Sequence, residues 1–144
     1  MPNSFGINIP FVQMLGFELT HFEGGESEIR YVPKPEHLNS FGVLHGGACM
    51  TVLDVGMASA ARSADKEMGV VTIEMKTSFM QAAKGIVTCK GRLMHRTATM
   101  AFTEATLYDA DGKPCAHATG TFKYVKRLPT SASSANPLDV ISTD

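Results

Sequence analysis

The chain has 144 residues, 44% of them apolar and 19% charged, with a formal net charge of −1. This length fits one domain that buries about 70% of its unfolded surface, and the even charge balance offers no basic excess for nucleic acid or an anionic membrane. The three cysteines, Cys49, Cys89 and Cys115, are odd in number, far apart and without C-x-x-C spacing; with no secretory leader read at the start, they are expected to be reduced, buried thiols of a cytoplasmic protein.

The segment Ile9-Pro10 to Gly16 predicts a short helix, with proline near its start and glycine at its end. Residues 17–22 alternate loosely as a strand, Gly24-Gly25 turns the chain, and Glu28 to Val32 form a second strand closed by Pro33 and Pro35. A loop from Pro35 to Gly42 leads into a run from Gly46 to Ala61 that is small or apolar on every face, which predicts a buried helix ending near Ser63. The wider stretch from Val43 contains His45, Asp54 and three glycines, too polar for a membrane span.

Four strands are expected to follow as a meander, over residues 70–80, 86–96, 99–108 and 115–126, with turns at Ala82 to Gly85 and Asp109 to Lys113. Strict alternation in the first of them puts Val71, Ile73, Met75 and Thr77 on one face, and Thr72, Glu74, Lys76 and Ser78 on the other. The stretch 127–144 has no periodicity and is expected to be a flexible tail behind a domain of residues 1–126. An antiparallel sheet wrapped around one apolar helix satisfies this order, an α+β fold. A helix apolar all round needs cover beyond one sheet, so a second subunit is expected to supply it.

Asp54 interrupts that apolar helix. A buried carboxylate is costly unless it is paired, hydrogen-bonded or working. The approach, Asn39-Ser40-Phe41-Gly42-Val43-Leu44-His45-Gly46-Gly47, is polar and glycine-rich. Together they point to an active site, the competing reading being a structural aspartate that bonds backbone or a partner helix. Gly46 would open the helix with its N–H free, where unsatisfied donors and the helix dipole favour a developing oxyanion. Gly46 and Asp54 are eight residues apart, about 12 Å along a helix, so one helix cannot bring both to one reacting carbonyl. Two antiparallel copies across a dimer axis can.

Asn39, His45-Gly46-Gly47 and Asp54, with the asparagine six residues before the histidine and the aspartate nine after it, resemble the signature of the hotdog-fold acyl-CoA thioesterases, most closely the PaaI-like branch. Val70 to Met75 and the turn Tyr108 to Lys113 extend the resemblance, which covers about residues 15–125. It implies a sheet curled around one long helix, a dimer or a dimer of dimers, and sites between subunits that use no metal. The implied reaction is hydrolysis of an acyl-coenzyme A thioester to free acid and thiol. Coenzyme A is then part of the substrate, and no separate cofactor is expected.

In the roles this resemblance implies, Asp54 is the general base for water or a nucleophile passing through an anhydride, and the Gly46 N–H polarises the thioester carbonyl. Asn39 contacts the thioester or the water, against the plainer reading of a loop asparagine making an Asx-turn; His45 fixes the loop or lies near the carbonyl; and Thr72 holds the water beside Asp54, against that of an ordinary strand threonine. Gly47, Met50 and Met57, with Phe11, Met14 and Met75, are candidates for an acyl pocket, although core packing explains the methionines equally well. Lys84, Arg92 and Arg96 are candidates for the nucleotide phosphates, against the plainer reading of solvated charges. His21, His37, His95 and His117 show no metal spacing. Glu74 is a second acid near Thr72 whose orientation decides whether it couples to Asp54. The alternative function on the same fold is a non-catalytic acyl-CoA-binding or sensing module; a hydratase would instead resemble a pattern with histidine and acid paired on the helix.

Overall fold

The computed structural model describes residues 9–126, so the stretch 127–144 lies outside the described residues. Helix α1, Pro10–Leu15, begins on proline and is closed by Gly16 at φ 80°, a left-handed turn that glycine enters without strain. Strands β1, Glu18–Glu23, and β2, Glu26–Tyr31, form a hairpin, and a single 3-10 turn at Pro35–His37 precedes the long helix α2, Gly46–Ser63. Strands β3, Met68–Phe79, β4, Val87–Arg96, β5, Met100–Tyr108, and β6, Pro114–Lys126, complete the chain. All six strands join one antiparallel sheet in the order β1-β2-β4-β5-β6-β3, and α2 packs against every strand. The architecture is the expected α+β hotdog arrangement of a sheet curled around one long helix.

Two details differ from the expectation. The last four strands are not one meander: β4, β5 and β6 are, but β3 lies beside β6 at the far edge. Residues 80–86 therefore return across the end of the sheet rather than turning a hairpin. They are pinned there by the Met80 and Gln81 N–H groups on the Cys115 carbonyl and by the Leu44 N–H on the Ala83 carbonyl.

The second difference lies inside β3. A bulge at Ile73 sets Thr72 opposite Phe122 and Glu74 opposite Thr121. One extra residue reverses the alternation beyond it. Thr72 thus shares the helix-facing side with buried Phe122, whereas Glu74 points to the outer face and accepts a 2.9 Å bond from the Thr121 hydroxyl. The second acid does not face Asp54.

The core fills the space between α2 and the sheet, with Ile29, Tyr31, Val52, Leu53, Leu107 and Phe122 fully buried. Helix and sheet approach most closely where α2 crosses β2 and β4. A Cβ on Gly91 would lie 2.4 Å from the Gly56 carbonyl oxygen, and one on Gly56 would lie 2.6 Å from the Cys89 sulfur. The Ser27 hydroxyl donates to that same carbonyl at 2.6 Å. All three cysteines are buried and unpaired. Burial pushes the Cys89 thiol up to about 12 and the Cys49 thiol to about 11, which removes both as nucleophiles at neutral pH. Among the described residues no helix is long and apolar enough to cross a membrane.

Candidate active site

The start of α2 is shaped by its own sequence. His45 is the N-cap, and its Nδ1 accepts from the Gly47 N–H at 2.8 Å while its carbonyl takes the Cys49 N–H at 3.0 Å. Those bonds satisfy the Gly47 and Cys49 donors and leave the Gly46 and Ala48 N–H groups with no acceptor among the described residues. The ring of Phe79 lies beside Gly46, 3.5 Å from where its Cβ would sit. Upstream, Asn39 clamps the loop: its Oδ1 accepts from the Phe41 and Val43 N–H groups at 2.9 and 3.2 Å, and its own N–H donates to the Val43 carbonyl. The polar, glycine-rich approach is therefore a hydrogen-bonded cap that leaves the first N–H of the helix, Gly46, open together with that of Ala48.

Asp54 sits two turns further along. The helix is not covered all round: Gly47 and Met50 are exposed, and Thr51, Asp54, Val55 and Ala58 are half-buried. The exposed and half-buried positions 47, 51, 54 and 58 recur at helical spacing and form one continuous stripe. Burial raises the Asp54 carboxyl above the ordinary carboxylate range, and the Thr72 hydroxyl, donating to Oδ1 at 2.7 Å, opposes that rise. The result is a carboxylate held in one orientation, with its second oxygen free for water.

The expected site residues thus fall into two groups. Asn39, His45, Gly46 and Gly47 gather at the helix start, while Asp54 and Thr72 meet in its middle, about 12 Å away along the same helix. Other candidates separate further. Met57 is fully buried against Gly120 and belongs to the core, whereas Met50 stands on the open stripe. Lys84 is exposed on the 80–86 connection near the start of α2. Arg96 lies beyond the other end of the helix, ion-paired to Asp65 at 3.5 Å and stacked 4.2 Å over the Tyr124 ring, and Arg92 is tied to Glu104 on the outer face of the sheet. No three His, Cys, Asp or Glu side chains come together as a metal site among the described residues.

A cleft of about 510 Å³ opens beside the helix start, between α1, the 3-10 turn and the first turns of α2. Phe11, Met14, Leu15 and Ala48 form apolar walls, and Lys34, Glu36, His37, His45 and Thr51 are its polar residues. His37 had no sequence signal beyond being a loop histidine, because the contact that fixes it, with Tyr31, is made by folding.

The sequence over residues 41–116, more than half of the chain, matches the thioesterase superfamily. The chain belongs to that superfamily. An inferred esterase of Saccharolobus solfataricus is 31% identical over 121 residues, which are 83% of this chain and 86% of the relative. The crystal structure of a thioesterase family protein from Silicibacter pomeroyi superposes with a TM-score of 0.78 at 26% identity, covering 83% of this chain and 91% of that one. The PaaI protein from the phenylacetic acid degradation operon of E. coli shares the fold, with a TM-score of 0.77 at 17% identity over 82% and 86% of the two chains. Membership makes the protein a hydrolase of the thioesterase class and bears out the resemblance to the hotdog-fold thioesterases.

Proposed function

We propose that the protein hydrolyses an acyl-coenzyme A thioester at a site shared by two subunits, with Asp54 from one chain and the Gly46 N–H from the other. The observation that carries this reading is the pairing of Asp54 with Thr72 on the one stripe of α2 that its own sheet leaves open. A desolvated, oriented carboxylate beside an uncovered helix face suits a base that works once a partner closes over it. The open edge of β3, with Ile73 and Phe79 more than half exposed, is a second surface that a partner chain would cover.

In the general-base route the substrate carbonyl accepts from the Gly46 N–H, and Asp54 takes a proton from water as its oxygen attacks the carbonyl carbon. The tetrahedral intermediate collapses, the C–S bond breaks, and the leaving thiolate receives the proton. In the anhydride route Asp54 attacks the same carbon directly and the C–S bond breaks to release the thiolate, which takes its proton from the water that then cleaves the anhydride to free acid and regenerated Asp54. Both need Asp54 ionised and an oxyanion donor opposite it, and neither needs a further cofactor.

The test is thiol release from a panel of acyl-CoAs by the wild type and Asp54→Asn. Asparagine keeps an acceptor for the Thr72 hydroxyl and sheds a desolvated charge, so the melting temperature should hold while the rate falls by at least ~100-fold. Full activity in Asp54→Asn would sink the mechanism. Binding of acyl-CoAs by the wild type without any turnover would favour the sensing module instead.

A further inference from the structure

Resting on that reading, we infer that the cleft beside the helix start is an acyl subsite for chains that carry a hydrogen-bond-accepting oxygen, and that His37 is the residue that selects them. His37 Nδ1 receives two donors. The Lys34 backbone N–H reaches it at 3.2 Å, and because that group can only donate, Nδ1 carries no proton in this arrangement. The Tyr31 hydroxyl, 2.6 Å from the same nitrogen, therefore donates as well. The neutral ring is fixed as the Nε2–H tautomer: its Nδ1 edge is spent on the protein, and its Nε2–H, with no acceptor among the described residues, belongs to a side chain that lines the cleft.

His45 is held in the same way. Its Nδ1 accepts from the Gly47 N–H, so its neutral form also keeps the proton on Nε2. The two histidines are neighbours, since the His45 N–H donates to the His37 carbonyl at 2.9 Å. One cleft thus holds two ring N–H donors with fixed tautomers opposite the apolar side chains of Phe11 and Met14.

That combination suits an acyl group with an apolar body and a hydroxyl or keto oxygen, and it suits a plain alkyl chain less well. The plain chain would strip water from both donors and give nothing back. An acyl chain is favoured over the pantetheine arm of coenzyme A because Phe11, Met14, Leu15 and Ala48 make most of the wall apolar and the residues on either side of Gly46, His45 and Gly47, line the cleft. Tyr31, fully buried, acts as the positioning residue for His37.

The experiment compares kcat/KM for hexanoyl-CoA with its keto and terminal hydroxy analogues. The wild type should prefer an oxygenated substrate by about tenfold. His37→Leu should bring that ratio close to one, His37→Gln, which restores an N–H donor, should recover part of it, and Tyr31→Phe should lower it without touching the ring. The readout is the ratio, so a general loss of rate does not mimic the effect. Equal use of all three substrates by the wild type overturns the acyl assignment while leaving thioester hydrolysis intact. A His37→Leu defect that raises KM equally for all of them also overturns it, by moving the donor to the coenzyme A arm. No turnover of any thioester would instead remove the parent reading.

Discussion

Asp54 and Thr72 define what one side chain can do to another at this site. Two influences act on the carboxyl in opposite directions: burial, the larger, raises its pKa, and the Thr72 hydroxyl bond lowers it. A base must be ionised to work, so kcat/KM should be lost as pH falls through the Asp54 pKa and reach a plateau above it. Thr72→Val deletes the lowering influence and keeps the shape. The acidic limb should then move to higher pH, with the plateau rate reduced by about tenfold as the carboxylate loses its orientation. A pH–rate profile of wild type and variant on one acyl-CoA measures both, and an unmoved limb would mean that Asp54 is not the group being titrated. The spacing of Asn39, His45, Gly46 and Asp54 was readable in the chain itself. The sequence left two senses open for Asn39 and His45, and the folded loop chooses between them: each spends its acceptor on nearby backbone N–H groups, as an Asx-turn and a loop-fixing cap do.

Among the elements, the helix was readable as an unbroken run of small and apolar residues and most strands from their alternation, with glycine or aspartate marking the turns other than Thr97 to Thr99. Strand β3 was readable as a strand, but its place in the sheet and the facing of its side chains were not, for two local reasons. Its partner, β6, lies beyond β4 and β5 in the chain, and nothing in a strand's sequence names a distant partner. The bulge at Ile73 has no compositional mark, yet it decides that Thr72 faces Asp54 while Glu74 faces away. The depth at which α2 lies on the sheet is likewise set by two glycines that sequence alone presents as ordinary. Gly91 in β4 lets the Gly56 carbonyl approach, and an added methyl would collide with backbone rather than with a side chain that can turn aside. Gly91→Ala should therefore cost about 2–3 kcal/mol of stability, as overpacking against an immovable neighbour does. The midpoint of urea unfolding reads this directly; an unchanged midpoint would mean that helix and sheet part easily at their closest contact.

For the whole molecule, the decisive quantity is the distance between the two halves of the site. A straight α2 holds the Gly46 N–H and Asp54 about 12 Å apart, and no side-chain rotation closes that gap, whereas a two-fold axis perpendicular to the helix, which sets two copies antiparallel, closes it twice. The prediction separates a shared site from one lying wholly within a chain. Gly46→Pro removes the donor at little structural cost: the position is the first of the helix, where proline is welcome, and His45 before it already has φ −59° and ψ 139°, the extended form that precedes proline. Each variant alone, Gly46→Pro or Asp54→Asn, should be nearly inactive. Mixed, unfolded and reassembled at equal amounts, half of the dimers should be hybrids. Each hybrid joins an intact Gly46 from one chain to an intact Asp54 from the other at one of its two sites, so about a quarter of the wild-type activity should return. A site contained in one chain would regain nothing, because every chain in the mixture lacks one of the two groups.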